Sequence, residues 1–182
     1  MAQPLSSQIT DRNFLQATGF NFILNRAPKV GFYGNAMNVP GMTMGVASQP
    51  SYLKYIPRPG EILEFNDLRI RFFIDQGLEN YMEIQHWLRG IGFPESLEQI
   101  YDFQKEGPVR KDNRSEINLY SDGTLTILNG LNRPTFAVKF KDLFPTSLSD
   151  INFDSTGSDV DYLTADVTFK YSIYNITDIE CC

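Results

Sequence analysis

LTADVTFKYSIY, residues 163–174, is the stretch whose reading decides the fold class. Leu163, Ala165, Val167, Phe169, Tyr171 and Ile173 fall on one side of an extended chain, and Thr164, Asp166, Thr168, Lys170 and Ser172 on the other. Successive side chains of a strand point to opposite faces, so a period of two with one apolar set predicts a β-strand with one buried face. Residues 65–74 repeat the pattern: Leu68, Ile70, Phe72 and Ile74 oppose Asp67, Arg69 and Arg71. The charged sides read either as solvated faces or as a lumen or subunit-contact face formed by Asp67, Arg69, Arg71, Asp166 and Lys170.

Outward from these two segments, Phe20–Leu24 (FNFIL) reads as a first strand. Residues 25–29, with Pro28, break it, and 30–33 read as a short second strand ended by Gly34-Asn35. Residues 117–128 read as a hairpin with Asp122-Gly123 at its tip. A three-residue loop over 121–123 pairs Leu119 with Leu125 and Ile117 with Ile127. Gly123 then takes the left-handed conformation of a bulged turn. Residues 135–140 give another strand, with Leu143-Phe144-Pro145-Thr146 ending it. One segment is helical: Leu78, Tyr81, Met82, Ile84, Trp87, Leu88 and Ile91 recur at helical spacing. Glu79 and Arg89 suit the helix dipole, and Gly90 and Gly92-Phe93-Pro94 stop the helix. About six or seven strands, one helix and no βαβ alternation predict a mainly β (α+β) fold. The expected architecture is a β-sandwich or barrel with one flanking helix.

With 182 residues, 42% hydrophobic and 21% charged, the chain suits one globular domain. We place it over 14–178, between a polar arm at 1–13 and a tail at 179–182. A net charge of −6 argues against gripping nucleic acid by neutralising phosphates. Cys181 and Cys182 are the sole cysteines, adjacent and poorly placed to bridge each other, which points to a reducing compartment. Residues 1–10 lack a secretory h-region and no apolar run has the length of a membrane span, so no membrane association is expected. His86, the single histidine, has no local nucleophile partner. One histidine and two terminal cysteines make no zinc spacing. Asp154, Asp159 and Asp161 lack the ligand ladder of a calcium loop. No phosphate-binding glycine motif occurs. The reading is a non-enzymatic protein with no cofactor, no metal and no catalytic residue.

Residues 38–61 are unusual. Pro40, Gly41, Gly45, Pro50, Pro57, Pro59 and Gly60 argue against regular secondary structure, yet the segment also holds Val39, Met42, Met44, Val46, Tyr52, Leu53, Tyr55 and Ile56. It reads as an extended apolar loop that packs on another chain. The candidate interface residues are Val39, Pro40, Met42, Met44, Tyr52, Tyr55, Pro57, Arg58 and Pro59. Residues 95–115 are polar and charged and read as an exposed excursion.

The order of segments carries a family resemblance. A strand FNFIL precedes Val39-Pro40-Gly41-Met42 and Arg58-Pro59-Gly60-Glu61. Residues 68–75 (LRIRFFID), the helix with Trp87, Phe144-Pro145-Thr146-Ser147 and the strand at 165–171 follow. This order resembles the tail tube proteins of contractile-tailed phages, including baseplate and tube-end relatives, across most of residues 20–175. The resemblance implies a structural subunit of the virion, assembled in the host cytoplasm into stacked homo-hexameric rings. Such rings meet the sheath and other tail or baseplate proteins and conduct DNA without binding it specifically. It also implies that the proline-rich loop bridges to a neighbour, and that the strands near 65–74 and 163–174 help line or support an inner barrel. A ring-forming baseplate or tube-terminal protein, and a monomeric β-barrel binding module, remain as alternatives.

Overall fold

The computed structural model describes residues 19–92, 119–153 and 162–179, together with Leu15, Ala17, Glu95 and Glu98. The expectations for the arm at 1–13, the bulk of the 95–115 excursion, the acidic loop and the two cysteines lie outside the described residues.

In chain order the elements are β1 (Phe20–Leu24), α1 (Pro28–Phe32), β2 (Gly34–Met37), β3 (Met42–Pro50), β4 (Tyr55–Phe65), β5 (Leu68–Phe73), α2 (Glu79–Gly92), β6 (Ser121–Leu128), β7 (Pro134–Leu148), β8 (Thr164–Lys170) and β9 (Ile173–Asp178). The main sheet runs β1-β6-β7-β8-β5-β2, with β9 also on β7, while β3 and β4 form a separate two-stranded ribbon. The fold is mainly β, as the sequence predicts.

β7 makes the sheet fold over. Its first part pairs with β6 and β9, and its second part, from Phe144, pairs with β8. Between the two parts Asp142 adopts a φ of 56°. A bend at such a point lets one strand serve two sheet layers. Pro145 does not end the strand, because a register shift between Pro145 and Ser147 accommodates it. The inner faces share one core: Phe22, Leu24, Leu68, Ile70, Phe72, Val138, Phe140, Leu143, Val167 and Phe169 are all buried. Trp87 of α2 closes the core, 5.9 Å from the Phe169 ring, and its indole N–H donates to the Leu119 carbonyl at 2.9 Å.

Four further local expectations are corrected. Residues 30–32 belong to helix α1 and Tyr33 caps it, because Pro28 at its first turn presets the helical φ and Gly31 lies against the β1 backbone. Asp122-Gly123 is not a hairpin tip. Gly123 sits inside β6, opposite Phe140 and Leu24, and no described glycine has a positive φ. Space favours glycine there: a Cβ would lie 2.6 Å from Leu143 Cδ1, so the buried Leu143 would have to shift. The true hairpin turn lies at 129–133, where Asn129 Oδ1 accepts the N–H groups of Leu131 and Arg133. The strand expected at 163–174 breaks at Tyr171-Ser172, so β9 joins β7 rather than prolonging β8. The fourth correction is residues 38–61, which are largely regular β-structure.

Candidate assembly surfaces

The ribbon is built on breakers that its geometry tolerates. Each strand of a two-stranded antiparallel ribbon has one free edge, and every second N–H points outward to it. The Ser51 N–H donates to the Lys54 carbonyl at 3.0 Å, which sets the inward phase at the tip. Ala47↔Arg58 and Gln49↔Ile56 are then the inward pairs, and Val46↔Pro59, Ser48↔Pro57 and Pro50↔Tyr55 the outward ones. Pro57 and Pro59 thus occupy positions with no ladder hydrogen bond to lose. Near mid-length the register shifts between Met44 and Val46. Gly45 and Gly60 cross there so closely that a Cβ on Gly60 would stand 2.5 Å from the Gly45 carbonyl oxygen.

Directly opposed residues share a face. Met42, Met44, Val46, Leu63, Phe65, Pro57, Pro59 and Tyr55 therefore lie on one face with Ser48, and Thr43, Ala47, Gln49, Ile56, Arg58 and Glu64 on the other. Apart from half-buried Phe65, the apolar face is open to solvent, and at the tip Tyr52 is 101% and Leu53 89% exposed. A contiguous exposed apolar surface of this kind is a candidate interaction site.

Of the nine candidate interface residues, Met42, Met44, Tyr55, Pro57 and Pro59 share this apolar face, and Tyr52 caps the tip. Arg58 lies on the opposite face, its Nε donating to Gln49 Oε1 at 2.7 Å. Val39 is exposed in the connector to β3, whereas Pro40 is buried and its carbonyl accepts the Tyr174 hydroxyl at 2.9 Å. Pro40 therefore anchors the ribbon to its own body. The reading missed Ile62 and Leu63, both exposed, because it ended the segment at Glu61.

At the ribbon's root, Phe65 stacks among Tyr171, Tyr174 and, through them, Phe140, with ring centroids 5.3–5.9 Å apart. The Tyr171 hydroxyl donates to the Asn66 carbonyl at 2.9 Å. Burial, reinforced by Tyr174 and Asp67, pushes the Tyr171 phenol up to about 12.

The second surface is the outer face of β5 and β8. All five charged residues singled out there line one open groove of about 750 Å³, joined by Ala36, Met37, Asn38, Glu64, Phe65 and Asn66. Arg71 makes a two-pronged ion pair with Asp166 across the strands, Nε–Oδ1 2.9 Å and Nη2–Oδ2 3.2 Å. Lys170 Nζ lies 2.5 Å from Asp67 Oδ1. Two of the three cations on this face, Arg71 and Lys170, are thus held in ion pairs. His86 is exposed on α2. Among the described residues no three His, Cys, Asp or Glu side chains gather as a metal site would require, and no helix is long and apolar enough to cross a membrane.

No protein-family model matches the chain. It is 23% identical over 178 residues to the tail tube terminator protein of Enterobacteria phage T4, covering 93% of this chain and 94% of the relative. Its fold superposes on a chain of the sheath–tube complex of the extracellular contractile injection system PVC in its extended state. The TM-score there is 0.59 at 14% identity, over 96% of this chain and 98% of that one. Its fold is tail-tube-like. The tube-terminating cap of the anti-feeding prophage gives the same TM-score, 0.59, at 11% identity, covering 98% of this chain and all of the other. By their names these relatives are components of phage tails and contractile injection systems.

Proposed function

We propose that this protein is the terminator of a contractile tail tube, a structural subunit of the virion that forms one hexameric ring and ends the tube. The observation that carries the reading is the near full-length match to a tail tube terminator, 178 residues at 23% identity. The ring forms in the host cytoplasm, meets the last tube ring and the sheath, and leaves an axial passage for DNA. The charge pattern suits that passage. Arg71 and Lys170 are already held by Asp166 and Asp67, so a passing phosphate competes with a carboxylate for each. Binding through phosphates depends on free cations, and the chain's net charge is −6. The apolar ribbon face is the part that packs on a neighbouring subunit.

A second reading, a repeating tube subunit, is favoured by the superposition on the sheath–tube chain. Negative-stain microscopy of the purified protein separates the two. Isolated six-fold rings support the terminator, and long tubes formed by this protein alone overturn it in favour of the tube subunit. A stable monomer at high concentration that binds a small ligand would sink both.

A further inference from the structure

The ribbon's two edges are chemically different. The Asn66 N–H donates to the Gly41 carbonyl at 3.0 Å and the Ser51 N–H to the Lys54 carbonyl at 3.0 Å, which fixes the phase at both ends of β3. Counting by twos from Gly41 and from Ser51 gives the same answer. Odd-numbered residues of β3 point their N–H groups inward, and Met42, Met44, Val46 and Ser48 point theirs outward. β3 therefore presents a row of outward donors and acceptors with no proline before Pro50. The outward positions of distal β4 are Tyr55, Pro57 and Pro59, and the two prolines have no N–H to give. Prolines on an edge strand block further pairing.

We propose that β3, and not β4, extends a β-sheet of a second copy of this chain by strand addition at its free edge. The inference rests on the reading of the ribbon as an assembly element. Three strands of the body, β1, β2 and β9, pair on one side only among the described residues, and none contains a proline. Charge favours another copy as the recipient. The distal part of the ribbon, residues 46–59, carries Lys54 and Arg58 and no acid, a charge of +2 in a chain of −6, so the rest of the molecule, including Glu61 and Glu64 nearer the ribbon's root, carries −8. Strand addition supplies affinity through main-chain hydrogen bonds, while side chains on the added strand set specificity. Met42, Met44 and Val46 lie on the same side as Ser48, so pairing along this edge would set the apolar face beside the same-face side chains of the recipient strand.

The test uses the full-length chain in sedimentation velocity over a concentration series, with thermal melts alongside. Ser48→Pro removes one outward donor without touching an inward ribbon bond. It is expected to raise the concentration for half-assembly by about tenfold, the worth of one backbone hydrogen bond. Met44→Pro should act alike, and Ala47→Ser, which keeps every outward donor and lies on the face opposite the apolar one, should leave assembly unchanged. Melts should stay at the wild-type temperature in all three. If both proline variants assemble like the wild type while deletion of 46–56 abolishes assembly, the ribbon docks by its side chains and the edge inference is overturned. If the deletion also assembles normally, the ribbon's assigned role is lost with it, and a wild-type chain that stays monomeric throughout overturns both.

Discussion

The body and the ribbon are made of the same material, antiparallel strands with alternating side chains, and they end in opposite states. In the body the alternation of β5 and β8 turns Leu68, Ile70, Phe72, Val167 and Phe169 onto a shared core and leaves charges outside. In the ribbon the alternation gathers Met42, Met44, Val46 and Leu63 on a face with nothing of its own chain over it. A two-stranded ribbon alone in water is marginally stable. The difference teaches that the same sequence rule specifies a core where a second layer exists and an open apolar face where none does.

The body's side of that comparison is broken most severely at its centre. Trp87 is buried, packed on Phe169, with the Arg26 guanidinium 5.4 Å above its ring. Trp87→Ala leaves a cavity and orphans the Leu119 carbonyl. It should cost about 3–5 kcal/mol, read by urea unfolding. A loss below about 1 kcal/mol would mean that α2 is not part of the core.

The ribbon's side is probed at its crossing point. In Gly60→Val the new side chain cannot fit within 2.5 Å of the Gly45 carbonyl, so the two strands must part. We expect assembly to be lost while the melt of the monomer moves by no more than about 0.5 kcal/mol, since the ribbon lies outside the core. A matching loss of global stability would show that the ribbon and the body fold as one unit.

The hinge between the two regions is the tyrosine cluster. Tyr171 is held protonated up to about 12, above its ordinary value of 10.0, chiefly by burial. The unfolded chain releases that proton first, so the neutral phenol contributes stability fully below pH 10 that is lost as pH rises toward 12. Tyr171→Phe removes this contribution and the bond to Asn66, costing about 1 kcal/mol at neutral pH. The variant should also show a shallower alkaline limb than the wild type in melts from pH 9 to 12. Identical limbs in the two proteins would remove Tyr171 from the account.

How much of this was legible depends on what each pattern competes with. The alternation at Leu68–Phe73 and 163–170 survives in the structure because a buried sheet face enforces it. The helix Glu79–Gly92 was legible for the same reason. Asp122-Gly123 misled because a turn dipeptide and a glycine excused for space look alike until Leu143 is known to lie against it. The prolines at 57 and 59 misled in the opposite direction. They read as breakers of a strand, yet their spacing of two puts both on one edge, a pattern legible once a free edge is considered. The candidate charged face was legible as a face, but the pairing of Arg71 with Asp166 is a matter of register, which local sequence does not set.

The smallest effect sharpens the comparison on the outer face of the body. Arg71 and Asp166 are each about half exposed, side-chain relative accessibility 53% for both. The carboxylate raises the guanidinium's pKa through a hydrogen bond first and charge second. An exposed pair of this kind contributes little to folding and is weakened by salt. Arg71→Met should therefore lower the melting temperature slightly at low ionic strength, and the difference should vanish near 1 M salt, where the screening length is about 3 Å. Its larger consequence lies elsewhere. Removing Arg71 frees Asp166 and makes the groove more negative, so DNA passage should be unimpaired, while Asp166→Asn releases Arg71 and should make rings retain DNA at low salt. Measured by co-sedimentation of assembled rings with duplex DNA, retention by the second variant alone supports the compensated-charge account. Equal retention by both, or by neither, would mean that this face does not meet the nucleic acid.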